Sequence, residues 1–354
     1  MKILHSADWH LDSPLRGHDP DRQAYLKAEL LRIPGKIAEV CRREKCDLML
    51  ISGDIFDRAY TLESYQAVYR ALESVQVPVF ISPGNHDYIS MTSPWVTERW
   101  PANVTIFTHQ TLTRKRIPGG TVWGAAFRAG EAPAMLDGFR AEPDAGYAIG
   151  ILHGDTTQAK SPYCAVTAKQ IRESGLHYLA LGHIHQAGSL QAGSTLCAWP
   201  GCPMGTGYDE HGPKGVRIVE LGETVTSRFV PLDTPRFYDL ETDAEEDPSA
   251  AVANLLPAVG NKDFYRITLT GPSQPINLET LQKEFSHFPN LILRDQTVPP
   301  TDPWLAVGED SFEGTYFTLL QENLNTQDPE QQRITQLAAK ISRQLLDGGE
   351  VKLP

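Results

Sequence analysis

Five short polar clusters occur along the chain, and each directly follows a run of apolar residues. The clusters are ADWH, SGDIFDR, PGNHDY, LHGD and LGHIHQ, and runs such as DLML, PVFI and YAIGI precede them. Such runs are typical of buried strands, and polar groups at the carboxyl ends of α/β strands meet at one edge of the sheet. We therefore predict an α/β fold that brings eight side chains to one rim, namely Asp8, His10, Asp54, Asn85, His86, His153, His183 and His185.

Residues 1–232 alternate apolar runs with helix-like segments, which predicts a domain of the α/β class built as an α+β sandwich. Strands are predicted at residues 2–6, 47–52, 77–82, 104–108, 121–126, 147–153 and 178–182, and a hairpin at 216–221 and 225–230. Helices are predicted at residues 23–45, with Pro34 as a candidate break, and at 61–75 and 167–174.

Residues 233–297 show the order β, α, β, α, β, which is enough for a small second α+β domain. The prolines of residues 297–303 indicate an extended linker, because each proline restricts the residue before it. Residues 298–354 are therefore predicted to be a linker and a helical tail. In that tail, DPEQ at 328–331 indicates a helix start, and an apolar stripe follows at Ile334, Leu337, Ile341 and Leu345.

Composition limits the class of protein. The sequence contains no stretch of about 18 apolar residues and no apolar signal core near its start, which predicts no membrane span and a cytoplasmic location. The five cysteines form no CxxC pair, so reduced thiols are favoured over a zinc site.

The formal net charge of −12 is unusual for a protein that handles nucleic acid. The charge is unevenly distributed: residues 1–230 hold 23 Lys and Arg against 24 Asp and Glu, whereas residues 231–354 hold 9 against 20. Two bound divalent cations would take the first part to about +3, because a metal ion is often the largest charge in a site. The overall acidity therefore does not exclude a nucleic acid as partner of the first part.

The residue types of the polar clusters suit a pair of divalent metal ions. A carboxylate can bridge two ions while imidazoles and an amide oxygen complete their shells, and mixed N/O ligands favour Mn²⁺, Fe²⁺ or Zn²⁺ over Mg²⁺ or Ca²⁺. Two such ions, about 3.5–4 Å apart, activate a hydroxide and clamp a phosphorus centre. Taken singly, each cluster has a simpler interpretation as a turn, a surface histidine pair or a core histidine. The ordered set favours the metal centre.

These motifs resemble those of the calcineurin-like metallophosphoesterase superfamily over residues 1 to about 230. ADWHLD, GDIFD, PGNHD and GHIH are most similar to SbcD-type DNA exonucleases, and the continuation HLDSPLRG is similar to the YhaO-like branch. The resemblance implies a two-sheet core flanked by helices. It also implies that one ion is held by Asp8, His10, Asp54 and His185, and the other by Asp54, Asn85, His153 and His183. His86 would contact the scissile phosphate, and Asp87 would orient His86 through a hydrogen bond.

The resemblance further implies an activity and partners. The activity would be a manganese-dependent phosphodiesterase that digests DNA ends in the 3′ to 5′ direction, sometimes with endonuclease activity, in double-strand-break repair. Residues 233–297 would be a capping domain that selects DNA shape. The protein would form a homodimer and bind a coiled-coil ATPase of the SbcC type, for which the stripe in the tail is a candidate contact; packing of that stripe on its own domain is the alternative.

Two other functions remain open from the sequence. A phosphomonoesterase or protein phosphatase is one, since GDIFDR resembles the GDxVDRG element in which the arginine grips phosphate, a position that Arg58 fills here. Against it, Ala59 replaces the glycine of that element and GNHD replaces GNHE. A non-catalytic scaffold is the other, but such proteins have typically lost ligands, whereas all eight positions are filled here.

Overall fold

A computed structural model of the chain describes residues 1–142, 146–244, 247–299, 302–325 and 328–346. The chain divides into two compact units. The first comprises Met1–Asp239 and Lys262–Tyr265, and the second comprises Leu240–Asn261 and Arg266–Pro354. Among the described residues, no helix has both the length and the apolar character needed to cross a membrane.

In its described residues, the first unit contains twelve complete strands and four helices, with bounds as follows. The strands are β1 Lys2–Ser6, β2 Leu48–Ile51, β3 Val79–Ile81, β4 Val104–Ile106, β5 Thr113–Ile117, β6 Gly120–Gly124, β7 Tyr147–His153, β8 Tyr178–Gly182, β9 Gly188–Ala192, β10 Thr195–Trp199, β11 Gly215–Leu221 and β12 Val225–Pro231. The helices are α1 Pro20–Arg43, α2 Leu62–Val75, α3 Pro94–Thr97 and α4 Ala168–Glu173.

Two six-stranded sheets form the core of this unit, in the orders β12-β11-β1-β2-β3-β4 and β5-β6-β7-β8-β10-β9. Strands β1 to β4 pair in parallel, as do β6, β7, β8 and β10. Antiparallel pairing joins β11 to β1 and β12 in the first sheet, and joins the edge strands β5 and β9 to the second. Side chains of both sheets form one buried cluster, which includes Ile3, Leu50, Val122, Ile149 and Tyr178. The predicted α/β sandwich is thus confirmed, and so is the hairpin of β11 and β12.

The two long helices cover the outer face of the first sheet through a second cluster that joins helix and strand residues. Helix α1 begins after Asp19, whose side chain accepts a hydrogen bond from the Arg22 N–H, and it runs without interruption through Pro34. The candidate break at Pro34 therefore does not occur. Pro34 and the residues Leu30, Ile33 and Ile37 around it are buried, and this packing offsets the single backbone hydrogen bond that proline removes.

Residues 237–295, most of which belong to the second unit, follow the predicted β, α, β, α, β order. Strands β13 Phe237–Asp243, β14 Phe264–Thr270 and β15 Leu291–Asp295 form one sheet, and helices α5 Pro248–Leu255 and α6 Leu278–Glu284 connect them. Helices α7 Phe312–Glu322 and α8 Pro329–Leu346 follow. Helix α7 was not predicted. The predicted linker at 297–303 includes residues 300–301, which lie outside the described residues.

Candidate metal centre

Five parallel strands from both sheets deliver the polar residues to one region. Asp8 and His10 follow β1, Asp54 follows β2, Asn85 and His86 follow β3, His153 is the last residue of β7, and His183 and His185 follow β8. Because β1, β2 and β3 are neighbours in one sheet, and β7 and β8 are neighbours in the other, their carboxyl ends lie together. All eight side chains expected at this rim are brought together there.

One group of candidate ligands surrounds His10. The ligand atoms of Asp8, His10 and His185 all lie within 4.8 Å of one another, and the two imidazole Nε2 atoms of His10 and His185 are 3.1 Å apart. Asp54 Oδ2 is 3.8 Å from His10 Nε2. This group contains the four residues that the resemblance assigns to the first ion.

A second group lies on the other side of Asp54. Asp54 Oδ2 is 3.2 Å from His153 Nε2, and Asn85 Oδ1 lies 2.9 Å from His153 Nε2 and 3.3 Å from His183 Nδ1. Asp54 therefore faces both groups with one carboxylate, which is the placement that a bridging ligand requires. His86 also lies within 4.8 Å of His10 and Asp54, measured between ligand atoms.

The backbone is strained where it presents these ligands. Asp8, His10, Asp54 and His183 all have positive φ angles, of 55°, 47°, 52° and 91°. Non-glycine residues rarely adopt this region, and such conformations concentrate at functional sites because the surrounding structure must hold them. Four strained residues among the seven candidate ligands indicate that the loops are shaped for the side chains they carry.

The donor set fits divalent metal ions. Buried carboxylates, imidazole nitrogens that face each other and an amide oxygen converge here, so several electron pairs point at the same small volume without an equal number of protons. A bound cation would accept these electron pairs and offset the cost of burying the carboxylate charges. A mixture of nitrogen and oxygen donors suits first-row transition metals.

Asp54 and His153 shift each other's pKa strongly. Burial would raise the pKa of Asp54, but the charge and hydrogen bond of His153 lower it below the ordinary value. Burial would lower the pKa of His153, but the Asp54 carboxylate raises it to about 9. In His10 and His183, by contrast, burial dominates and lowers the pKa. Without metal, the centre therefore holds a proton on His153 at neutral pH.

Two imidazoles are oriented by acceptors behind them. His153 Nδ1 donates to the Ser52 carbonyl oxygen at 2.8 Å, and His185 Nδ1 donates to Glu210 Oε1 at 2.5 Å. Glu210 is itself held, because its Oε2 accepts from the Thr206 N–H at 2.6 Å. Such partners leave the opposite nitrogen free for a metal. Glu210 was missed in the sequence because it belongs to no motif and lies 25 residues from His185.

The expected hydrogen bond between Asp87 and His86 is wrong. Asp87 is buried and accepts from the N–H groups of Gly84 at 2.7 Å and Ile55 at 2.8 Å, so its carboxylate is turned into the loops. His86 Nδ1 instead pairs with the carboxylate of Asp57, and this hydrogen bond raises the pKa of His86. Asp57 is the second aspartate of GDIFD, a signal that was available in the sequence.

A sequence model of calcineurin-like phosphoesterases matches residues 1–187, which is more than half of the chain and includes all eight rim residues. This chain belongs to the calcineurin-like phosphoesterase family. As a calcineurin-like phosphoesterase, it is a hydrolase of a family that uses divalent metal ions, and its potential ligand clusters lie where the strands within the matched region end.

Relatives of this calcineurin-like phosphoesterase include two proteins of Bacillus subtilis. The uncharacterized metallophosphoesterase YhaO is 29% identical over 260 residues, which cover 68% of this chain and 61% of the relative. The SbcD subunit of nuclease SbcCD is 24% identical, over 66% of this chain and 70% of the relative. Among solved structures, a dimetal phosphatase from Danio rerio is 12% identical, with a TM-score of 0.42, over 66% of this chain and 97% of that one.

Proposed function

We propose that this calcineurin-like phosphoesterase is a DNA phosphodiesterase that digests ends in the 3′ to 5′ direction and serves double-strand-break repair. The observation that carries the proposal is the pair of ligand groups that share the Asp54 carboxylate. The similarity to the SbcD subunits of SbcCD nucleases from two bacteria supports DNA as the substrate.

The side chains have distinct roles in this proposal. Asp8, His10, Asp54 and His185 would hold one ion, and Asp54, Asn85, His153 and His183 the other. Two ions in such a site supply Lewis acidity and an activated water for in-line displacement at phosphorus. We propose Mn²⁺, with Fe²⁺ and Zn²⁺ as alternatives, because the donor set mixes imidazole nitrogen with carboxylate and amide oxygen.

His86 is the proton donor in this proposal. Its side chain is 32% exposed at the rim, so it can contact a phosphodiester, and Asp57 holds the proton on the ring. A protonated imidazole at this place can donate to the leaving oxygen, which is a contribution of about 10²–10⁴ in rate when the donor is well placed. Asp87 supports the same region by holding the loops after β2 and β3 together.

The proposal is tested with duplex DNA labelled at either the 3′ or the 5′ end, in the presence of Mn²⁺, Mg²⁺ or Zn²⁺. We expect early release of labelled mononucleotide from the 3′-labelled duplex, and a ladder of shortened products from the 5′-labelled one, with fastest digestion in Mn²⁺. Rates should fall steeply as salt increases, because counterions are released when DNA binds. The control is His86→Gln, which keeps the side-chain size and should be slower by about 10²-fold or more.

A phosphomonoesterase is the second candidate, and the position of Arg58 favours it. Arg58 is exposed, and its backbone N–H donates to the His86 carbonyl oxygen at 3.2 Å, so it begins beside the proposed proton donor. The same preparations should therefore be assayed on p-nitrophenyl phosphate and on its bis-ester. Rapid hydrolysis of the monoester without digestion of DNA would support this candidate instead of the nuclease.

A change at Asp57 should alter the pH dependence of catalysis. The hydrogen bond to Asp57 raises the pKa of His86, so Asp57→Asn should lower it. If His86 acts as the protonated acid, activity is lost as pH rises through its pKa, and the alkaline limb of kcat/KM should move to lower pH. At pH 8 we expect a loss of about 10–100-fold, the usual range for partners that orient such a group. A pH–rate profile with an unmoved alkaline limb would contradict this role.

We also propose the partners that the resemblance implies. Residues 233–297 would act as a capping domain, the chain would form a homodimer, and a coiled-coil ATPase of the SbcC type would bind helix α8. The exposed fractions of Ile334, Leu337 and Leu345 are 54%, 41% and 59%, so the apolar stripe of this helix is accessible on the described chain. The five cysteines are free and buried, which supports a reducing cytoplasmic location.

A further inference from the structure

His5 is a buried histidine that belongs to neither ligand group. It lies on β1, its exposed fraction is 0%, and both of its ring nitrogens have partners. The Nδ1 atom is 2.7 Å from Tyr178 Oη, and the Nε2 atom is 2.6 Å from Ser52 Oγ. Tyr178 is on β8 and is also fully buried, so the three side chains join strands of the two sheets through the core.

The imidazole of His5 is neutral. Burial, together with the positive charge of Arg217, lowers its pKa to about 3. A neutral imidazole has one N–H donor and one acceptor nitrogen, so one of its two hydroxyl partners must donate to it and the other must accept from it. The three groups therefore form one hydrogen-bond chain, in which the His5 ring accepts from one hydroxyl and donates to the other.

Ser52 continues this chain to the metal centre. Its N–H donates to the Ser6 carbonyl oxygen at 3.0 Å, and its own carbonyl oxygen accepts from His153 Nδ1 at 2.8 Å. A carbonyl oxygen only accepts, so the Nδ1 atom of His153 must carry the proton in this contact. The Nε2 atom of a neutral His153 then keeps its lone pair, and it faces Asp54 and Asn85.

The contact between Ser52 and His153 has little freedom to move. A Cβ atom at Gly182 would lie 2.0 Å from the Ser52 carbonyl oxygen and 2.9 Å from His153 Nδ1. A Cβ atom at Gly53, where φ is +91°, would lie 2.6 Å from His153 Nδ1. Because Gly53 and Gly182 have no Cβ atom, the Ser52 carbonyl group and the His153 ring can pack together in a space that a larger residue at either position would fill. A small displacement of Ser52 would therefore also displace the imidazole ring of His153.

We propose that His5 and Tyr178 are positioning residues that, through Ser52, hold His153 in the orientation and tautomer needed to bind metal. The inference rests on the metal centre proposed above and adds two residues that touch neither the ions nor the substrate. Interactions behind a ligand typically change metal affinity by about 10–100-fold when they are removed. Since His5 acts one residue further out, we expect an effect at the lower end of that range.

The first measurement is the affinity for Mn²⁺ of the full chain, by calorimetry at fixed pH. His5→Phe keeps a ring of similar size and should weaken binding by about tenfold, and Tyr178→Phe, which removes a single oxygen, should weaken it about threefold. Because Tyr178 acts through His5, the double variant should bind no more weakly than His5→Phe alone. Additive losses in the double variant, or affinities for both single variants within the error of the wild type, would overturn the proposal.

The matched control is Thr195→Val. Thr195 is fully buried in the second sheet and its hydroxyl donates to the Leu176 carbonyl oxygen at 2.6 Å, so the change also removes a buried hydrogen bond. Its thermal unfolding temperature should fall as it does in Tyr178→Phe, while its Mn²⁺ affinity should equal that of the wild type. If Thr195→Val weakens metal binding as much as Tyr178→Phe does, the effect is general destabilisation and the proposal is wrong.

The second measurement reads the tautomer directly. In protein labelled with ¹⁵N-histidine and loaded with diamagnetic Zn²⁺, His153 should show a slowly exchanging Nδ1–H signal, which should broaden or disappear in His5→Phe. An unchanged signal in a folded His5→Phe protein would overturn the proposal. Neither measurement uses nuclease activity, so a wild-type protein that binds metal but digests no DNA would refute the proposed substrate and leave this inference standing.

Discussion

Asp54→Asn should leave a folded protein whose metal-dependent phosphodiesterase activity is lower by about 10³-fold or more. The amide keeps the shape of the side chain and can still accept the hydrogen bond that Asp54 Oδ1 receives from the His86 N–H at 2.9 Å. The substitution removes the negative charge of the Asp54 carboxylate, which faces both His10 and His153. A metal ion supplies several kcal/mol of transition-state stabilisation, and each ~1.4 kcal/mol is a factor of ten in rate.

The measurement is kcat/KM on the bis-ester of p-nitrophenyl phosphate, together with the number of Mn²⁺ ions bound per chain. Asp19→Asn is the matched control, because Asp19 caps α1 from the surface and asparagine caps a helix equally well. It removes one carboxylate charge and should retain full activity and metal content. Asp54→Asn with wild-type activity would mean that the shared carboxylate has no part in catalysis.

Metal affinity should increase with pH, by about tenfold per unit between pH 6 and 8. The pKa of His153 in the metal-free protein is raised to about 9, so at these pH values the imidazole must lose its proton before its Nε2 atom can bind an ion. Metal binding therefore releases a proton, and the apparent dissociation constant falls as protons become scarcer. Calorimetry of Mn²⁺ binding in buffers of different ionisation enthalpy would count the protons released.

The free energy of unfolding of the metal-free protein should decrease as pH rises, whereas its metal affinity increases. Because the folded pKa of His153 lies above its ordinary value of 6.5, its contribution to stability is complete below pH 6.5 and is lost as pH rises towards 9. The difference in unfolding temperature between samples with Mn²⁺ and samples with a chelator should therefore widen as pH increases. A difference that stays constant from pH 6 to 8 would show that His153 is not protonated in the metal-free site.

The positions of the ligands could be predicted because they follow from local patterns. Strands β1, β7 and β8 have the predicted bounds, since a largely apolar run that ends in Asp or His, or is closely followed by one, marks both the strand and its end. Once the strands are parallel, their carboxyl ends must meet at one edge, whatever the details of packing. The eight side chains therefore gather for a reason that the order of residues already contains.

The two edge strands of the second sheet, β5 and β9, could not be predicted in the same way. Strand β5 consists of TRKRI, whose three central residues are charged and exposed, and β9 consists of GSLQA, which is half polar. An edge strand has one neighbour and buries few side chains, so it carries little of the apolar pattern from which strands are recognised. Strands β5 and β9 form because their backbone groups hydrogen-bond to edges of β6 and β10 that would otherwise be unpaired.

The amino-acid sequence by itself determined the fold class, most central strands and the set of residues that meet at the rim. Only the tertiary structure decided which group is the hydrogen-bond partner of each imidazole. Asp57 and not Asp87 pairs with His86, and Glu210 pairs with His185. The Ser52 carbonyl oxygen pairs with His153, and His5 contacts the Ser52 hydroxyl. The physical reason is the range of the interactions. Strand formation depends on residues that are neighbours in the chain, whereas a hydrogen-bond partner is whichever group another loop places within about 3 Å.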